Sequence, residues 1–366
     1  MRTRIPLSEA RTDVRRPETA HVSRETRPGV VQIGVAVLAV ILAVGAATAQ
    51  SWTPLTSGTT ADLNSIETGS FSDCWVVGDD GFVASSNGCA TFTTEDVGAG
   101  DLDLTSQTRG SSIDIWVGGE EGVVRRYTGS SWLALDIPDA STSGERFQLF
   151  SGTSTAAWAV GDQGSIYRNL SGSAGGWELS DSVGVPLYGG YGSVTSLAWA
   201  VGAGGLILET VNGGLTWSPV TSGTTADLYA LVPGPSGTLL IVGDQGTILK
   251  STDFGATWTP RDSHTSVALR ALSTSGQTAT WMIAVGDYGT VLRSTDAGET
   301  WCFLHAGTTD LRGVEMISNA TAVAVGDNGT ILRTDDTGGT CQAEPLLLFA
   351  DRFETGDTAN WSSSYP

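Results

Sequence analysis

The chain has 366 residues, among them 48 glycines, 12 tryptophans and 4 cysteines, with a net charge of −20 and only 16% charged residues. That excess of carboxylate repels phosphate and argues against nucleic acid as a partner. The glycine content argues against long helical bundles, and 40% hydrophobic residues with abundant tryptophan argue against disorder.

The acidity is uneven. Residues 1–28 hold seven arginines against four acids, so from residue 29 onward there are 12 basic and 35 acidic side chains, a net −23. The basic leader runs into an apolar stretch at 29–49, interrupted only by Gln32 and Thr48 and ending in Ala47-Thr48-Ala49. A basic region, an apolar region and small residues at a cut follow one another as in a secretory signal. This predicts export to the periplasm, cell surface or medium of a bacterium, with cleavage after Ala49 leaving 317 residues. The alternative is an uncleaved anchor, since about 20 apolar residues span a bilayer. Three segments result: the signal or anchor at 1–49, a repeat region at 50–342 and a tail at 343–366.

The repeat region is built on one phrase. VGDQGTIL at 242–249 recurs as VGDYGTVL (285–292) and VGDNGTIL (325–332), with weaker copies at 77–84, 117–124, 160–167 and 201–208. The glycines after valine are Gly78, Gly118, Gly161, Gly202, Gly243, Gly286 and Gly326, spaced by 40, 43, 41, 41, 43 and 40. Each copy reads as four strands. A short apolar strand (Leu228–Leu231, for example) comes first. A second strand runs into Val-Gly, and a third reads T-I-L-K/R. A fourth follows a tryptophan, as in Trp217-Ser-Pro-Val, where proline requires a sheet edge. The Gly-Asp-x-Gly link suits a tight hairpin, because aspartate and glycine tolerate positive φ. A four-stranded unit of about 40–45 residues is a propeller blade, and seven of them make an all-β, seven-bladed β-propeller. Residues 52–63 (WTPLTSGTTADL) nearly repeat 217–228 (WSPVTSGTTADL), so the chain after the leader opens on a fourth strand with no blade before it. The last copy lacks its own fourth strand, so residues 52–58 are expected to complete the seventh blade and close the ring.

Between the third and fourth strands lies S/T-x-D-x-G-x-T-W, seen as STDFGATW (251–258) and STDAGETW (294–301), with TDDTGGTC (334–341) in the last copy. Asp253 and Asp296 can accept turn amides, Gly255 and Gly298 can turn left-handed, and Trp258 and Trp301 can bury a ring between blades while their indole N–H seeks a partner. Asp336 and Gly338 hold the same places in the last copy. One carboxylate per blade is too dispersed for calcium, which needs six to eight converging oxygens, so these turns read as structural. The eight-residue motif resembles the Asp-box, or bacterial neuraminidase repeat. Together with the preceding V-G-D-x-G-T-I-L-x-S phrase it makes the chain resemble the propeller family of the photosystem II stability/assembly factor over most of 51–341. The resemblance implies a seven-bladed propeller closed by its N-terminal strand. That family's assembly role implies a basic patch, which the acidic repeat region does not match, so no photosystem role is carried over.

No catalytic constellation emerges. The only R-I-P, Arg4-Ile5-Pro6, sits in the leader, far from where a sialidase would need it. The three histidines are His21, His264 and His305, too few and too scattered for a multi-histidine metal centre. No nucleophile elbow is present. A carboxylate pair of the glycosidase kind stays open among the 35 acids. No cofactor and no metal are expected. One site does follow from the repeat: directly after the first-strand Leu or Phe lie Asn64, Thr105, Gln148, Tyr188, Tyr229, Arg270 and Arg312. First strands line the axis of a propeller, so these seven form a ring, and its arc of Tyr188, Tyr229, Arg270 and Arg312 has the residue types of interface anchors. The competing reading is that they merely fill the channel. Cys74 and Cys89 share one hairpin region and are the favoured disulfide. Cys302–Cys341 follows by elimination against a geometric objection, since equivalent outer positions on adjacent blades should lie far apart, and free thiols are the alternative. The tail, with DRFETGDTANWS at 351–362, reads as a sorting or processing segment or as an extra strand. The expectation is thus an exported, monomeric, non-catalytic scaffold for a protein partner; the alternative is an Asp-box carbohydrate-active enzyme or lectin.

Overall fold

The computed structural model describes residues 52–68, 73–111, 114–138, 144–153, 156–173, 175–194, 196–276, 280–336 and 341. The proposed signal at 1–49, Gly338 and the tail at 343–366 lie outside the described residues. The strands form seven antiparallel four-stranded sheets, a seven-bladed β-propeller. The first described strand, β1 (Thr53–Leu55), belongs to the last blade. Blade 1 is β2 (Leu63–Thr68), β3 (Asp73–Gly78), β4 (Val83–Asn87) and β5 (Thr93–Thr94). Blade 2 is β6 (Leu104–Ser111), β7 (Asp114–Gly119), β8 (Val124–Tyr127) and β9 (Trp132–Ala134). Blade 3 is β10 (Phe147–Thr153), β11 (Ala156–Gly161), β12 (Ser165–Asn169) and β13 (Trp177–Ser182). Blade 4 is β14 (Leu187–Val194), β15 (Leu197–Gly202), β16 (Ile207–Thr210) and β17 (Ser218–Val220). Blade 5 is β18 (Leu228–Pro233), β19 (Leu239–Gly243), β20 (Ile248–Ser251) and β21 (Thr259–Arg261). Blade 6 is β22 (Leu269–Thr274), β23 (Met282–Gly286), β24 (Thr290–Ser294) and β25 (Cys302–His305). Blade 7 is β26 (Leu311–Met316), β27 (Ala322–Gly326) and β28 (Thr330–Thr334), with β1 on its outer edge.

β1 pairs antiparallel with β28 in the register Thr53 to Arg333, Pro54 to Leu332 and Leu55 to Ile331, so the N-terminal strand closes the ring as the repeat phase requires. Pro54, Pro219 and Pro260 all sit on fourth, outermost strands, where a missing N–H costs no ladder bond. The first strands β2, β6, β10, β14, β18, β22 and β26 contact one another in sequence, and β26 meets β2.

The core is seven separate apolar seams, one between each pair of blades. One rule generates most of them. Three residues before Gly78, Gly119, Gly161 and Gly202, β3, β7, β11 and β15 carry Trp75, Trp116, Trp158 and Trp199. The tryptophan that opens or precedes the next blade's fourth strand packs on each: Trp132 on Trp75, Trp177 on Trp116, Trp217 on Trp158 and Trp258 on Trp199. Toward the C-terminus the pairs shrink to Leu240 with Trp301 and Ile283 with Trp52. Trp52 thus takes in blade 7 the place that its own blade's turn gives to Cys341.

That substitution answers the objection to the second disulfide. The tryptophan position of one blade reaches toward the preceding blade, so Cys341 faces blade 6, and Cys302 at the start of β25 meets it with Cα atoms 5.4 Å apart. Cys74 and Cys89 are also bonded, Cα atoms 5.2 Å apart, and lie fully buried in the seam between blades 7 and 1.

Three local expectations need correction. Leu104 pairs with Gly119, as Leu63 pairs with Gly78, so in blade 2 the structural glycine is Gly119 rather than Gly118. A Cβ there would lie 1.9 Å from the Asp103 carbonyl oxygen, which is why this position excludes other residues. In the Gly-Asp-x-Gly turn the aspartate does not supply the positive φ. In blades 1, 5, 6 and 7 the next two residues do, as with Gln245 (54°) and Gly246 (68°), and in blade 3 Gly164 does alone, which frees the aspartate side chain to point elsewhere. Lastly, Trp217 donates its indole N–H to Ser180 Oγ at 3.0 Å, but the buried N–H groups of Trp258 and Trp301 have no protein acceptor among the described residues.

The S/T-x-D-x-G-x-T-W turns behave as local structure. Asp253 accepts from the Thr257 amide (2.9 Å) and hydroxyl (2.6 Å) and from Ser251 Oγ (2.7 Å), which together pull its carboxyl down to about 2. Asp296 repeats the pattern with Thr300 and Ser294. Asp336 accepts from Thr334 Oγ1 at 2.8 Å. Gly255 and Gly298 let each turn close over the preceding blade, where a Cβ would strike Trp199 at 2.5 Å and Leu240 at 2.2 Å.

Deleting residues 51–58 removes both β1 and Trp52 and should lower the melting temperature by about 10 °C or more, since losing one packed tryptophan alone costs roughly 3–5 kcal/mol. Calorimetry that finds an unchanged melt contradicts closure by this strand.

Candidate functional site

A channel of about 1020 Å³ runs along the axis, lined by the seven first strands. Asn64, Thr105, Gln148, Tyr188, Tyr229, Arg270 and Arg312 all line it, as the repeat implied. In six blades the ladder register shifts at this residue, for example between Leu228 and Ala230 around Tyr229, so the ring residue is the extra residue of a β-bulge. Bulges re-aim side chains. Blade 3 pairs Gln148 in regular register with Val160.

The turn aspartates converge on the same end. Arg270 binds Asp287 through two hydrogen bonds of 2.8 and 2.9 Å, and Asn64 donates to Asp79 at 2.7 Å. Arg312 bonds Asp327, Asp62 and Asn64. A second carboxylate set, just before the first strands, staples neighbouring blades by accepting the amide of the left-handed turn residue. Asp103 takes Asp80 (3.1 Å), Asp227 takes Gly204 (2.8 Å), Asp310 takes Tyr288 (2.7 Å) and Asp62 takes Asn328 (2.9 Å) across the closure. Arg146 reaches Asp103 at 2.9 Å and Glu120 at 2.6 Å.

The proposed arc is therefore divided. Tyr188 and Tyr229 lie with ring centroids 5.4 Å apart, and the Arg270 guanidinium lies over Tyr229 at 4.7 Å from its centroid. These three half-buried side chains form one stack. Arg312 is committed to the seam between blades 7 and 1 instead, and Thr105 is buried with its hydroxyl donated to the Phe147 carbonyl.

Deeper in the channel the structure brings together three charges that no local motif announces. Glu67 on β2, Glu315 on β26 and Arg109 on β6 line it from blades 1, 7 and 2. Glu315 accepts from Ser273 Oγ (2.9 Å) and Thr68 Oγ1 (3.3 Å). Removal from bulk water pushes the Glu67 carboxyl up to about 7, against the pull of Arg109. Burial and then the charge of Glu67 raise Glu315 well above the carboxylate range, and burial lowers Arg109. The only sequence signal was a shared register: both glutamates stand four residues after the first-strand leucine.

Among the described residues no group of three or more His, Cys, Asp or Glu is placed to hold a metal, and no helix is long and apolar enough to cross a membrane.

Comparison with known proteins places this geometry. The family model described as "Photosynthesis system II assembly factor YCF48" matches residues 234–346. A structure of YCF48 bound to a D1 peptide is 19% identical, covers 78% of this chain and 94% of its own, and superposes with a TM-score of 0.64. YCF48 from Cyanidioschyzon merolae is 16% identical over 78% of this chain and 98% of its own, with a TM-score of 0.62. A streptogramin B lyase structure is 13% identical over 78% and 97%, with a TM-score of 0.67. No curated protein sequence matches the chain. The class is thus a seven-bladed β-propeller, and the resemblance to the YCF48-like propellers read from the repeats is supported by both the family model and the structures.

The raised carboxyls make stability depend on pH with a defined sign. A carboxyl whose folded value exceeds its unfolded value of about 4.5 stabilises the fold fully below that value and loses the contribution as pH rises through the folded value. Wild type should therefore weaken between about pH 5 and 8. E315Q should flatten that decline, and its urea midpoint should exceed wild type at pH 8 but not at pH 4. A decline of equal steepness in the variant contradicts the pairing.

Proposed function

We propose that the chain is an exported, monomeric propeller scaffold that binds a segment of a protein partner at the ring end of its channel, without catalysis and without a cofactor. The observation that carries this reading is the Tyr188–Tyr229–Arg270 stack, a continuous aromatic and guanidinium surface opening into the axial channel of about 1020 Å³. Aromatic residues and arginine dominate binding energy in protein interfaces. That a YCF48 propeller is known bound to a D1 peptide supports peptide capture as a use of this architecture. Two disulfides fit an oxidising compartment and so fit export through the signal-like leader. Cell-envelope or secreted-complex assembly is the setting that suits such a scaffold.

A second reading, an Asp-box carbohydrate-active enzyme or lectin, draws on the Glu67–Glu315 pair. One raised carboxyl beside another is the arrangement from which acid and base roles are made in glycoside hydrolysis.

Crosslinking pull-down from the native envelope should recover a partner with wild type and lose it with Tyr229→Ala. Recovery of the same partner by the variant contradicts the site. A glycan-array hit or hydrolase activity abolished by E315Q moves the assignment to the second reading.

A further inference from the structure

The repeat shows, within this one molecule, what its turn carboxylates take. In blades 1, 6 and 7 the aspartate of the Gly-Asp-x-Gly turn is bonded by the ring residue of its own blade: Asp79 by Asn64, Asp287 by Arg270 and Asp327 by Arg312. Blade 5 keeps the carboxylate, Asp244, but its ring residue is Tyr229. Blade 3 keeps Asp162 beside Gln148, and Asp227 stands just before β18. Among the described residues none of Asp162, Asp227 and Asp244 forms a side-chain ion pair with arginine or lysine: Asp162 accepts the Arg146 amide (3.1 Å), Asp227 the Gly204 amide (2.8 Å), and Asp244 feels the Arg270 charge without a direct pair, whereas every ring-end arginine is already paired. These three carboxylates lie about the two stacked tyrosines. Asp227 and Asp162 act on the Tyr188 phenol, Asp244 and Asp227 on that of Tyr229, and in both cases they add to burial in raising it. The neighbouring blade supplies the completed version: the Arg270 guanidinium lies on the Tyr229 face with its charge held by Asp287.

Resting on the scaffold reading above, we propose that the Tyr188–Tyr229 side of the mouth is a receptor for an arginine or lysine side chain of the partner polypeptide, with Asp244 and Asp227 taking the charge and the tyrosine rings the apolar stem and cation face. The chemistry is that of the Arg270–Asp287 pair, with the cation supplied in trans. Charge complementarity favours the same occupant, because the chain from residue 29 onward is net −23 and a basic segment is drawn to it at a distance. The ring residues of blades 3 to 5 are uncharged. Asn64 and Thr105 are uncharged as well, and Asp310 is likewise outside any ion pair among the described residues, so the tyrosine pair beside Asp227 and Asp244 is what singles this arc out.

The test uses the full chain and three fluorescein-labelled nine-residue peptides, identical except that two positions carry arginine, glutamine or glutamate. Fluorescence anisotropy at low salt should rank arginine well above glutamine, with glutamate weakest. Among the described residues the Asp244 side chain makes no hydrogen bond, and its two turn bonds run through the backbone, so D244N is the clean variant; it should weaken the arginine peptide about tenfold and leave the glutamine peptide unchanged. D227N should do the same, with its melting curve checked because Asp227 also staples Gly204. Equal or tighter binding of the glutamine or glutamate peptide, lost in Tyr229→Ala, overturns cation recognition while leaving the scaffold reading intact. An unchanged arginine affinity in D244N also overturns it. Failure of all three peptides to bind, or binding indifferent to Tyr229→Ala, overturns both.

Discussion

A four-stranded blade has two apolar faces and only its neighbours to cover them, so every blade in this chain is stable only as a member of a closed ring. The seam tryptophans are the concrete form of that constraint. Each second-strand ring is covered by a ring from the following blade, and a linear array would leave the first and last faces bare. The chain resolves this by sending β1 back to β28, placing Trp52 on blade 6, stapling Asp62 to Asn328 and Arg312, and setting one disulfide within the blade 7–blade 1 seam and another across the blade 6–blade 7 boundary. Covalent and electrostatic reinforcement thus gathers where the aromatic pairing is weakest, at the blades whose second strands carry Ile283 and Val323 instead of tryptophan.

The same closure decides what happens on the axis. Seven first strands are forced side by side, and the bulge at their start turns one residue per blade toward the mouth. The turn aspartates arrive there because the residues after them, not the aspartates, carry the left-handed backbone. The mouth becomes a ring of carboxylates partly answered by arginine, and the unevenness of that answer makes one arc different from the rest. Arg312 and Arg146 knit blades together, whereas Tyr188, Tyr229 and Arg270 make a surface.

Much of this was legible in the chain itself. The Val-Gly-Asp-x-Gly phrase fixes blade number, the WTPLTSGTTADL repeat fixes the phase of closure, and the residue after the first-strand leucine fixes the ring, because each depends on local backbone chemistry repeated at one period. What escaped depends on contacts between distant strands. Arg312 meets Asp62 across 250 residues of chain, and Glu67 and Glu315 become neighbours only when blade 7 meets blade 1. The Cys302–Cys341 bond was obscured for a related reason: blade positions that look equivalent along the chain point toward the preceding blade, and that direction is a tertiary fact. The glycine of blade 2 was misassigned by one residue because VGGEEG offers two candidates and only the strand register chooses Gly119.

The central claim is that partners engage the ring end of the channel on its tyrosine side. Hydrogen–deuterium exchange of the full chain, free and crosslinked to its captured partner, tests it most directly. Protection concentrated at residues 187–190, 227–231 and 243–246 is the predicted result. Protection confined to the S/T-x-D-x-G-x-T-W turns or to the outer fourth strands, with the mouth unchanged, would contradict it.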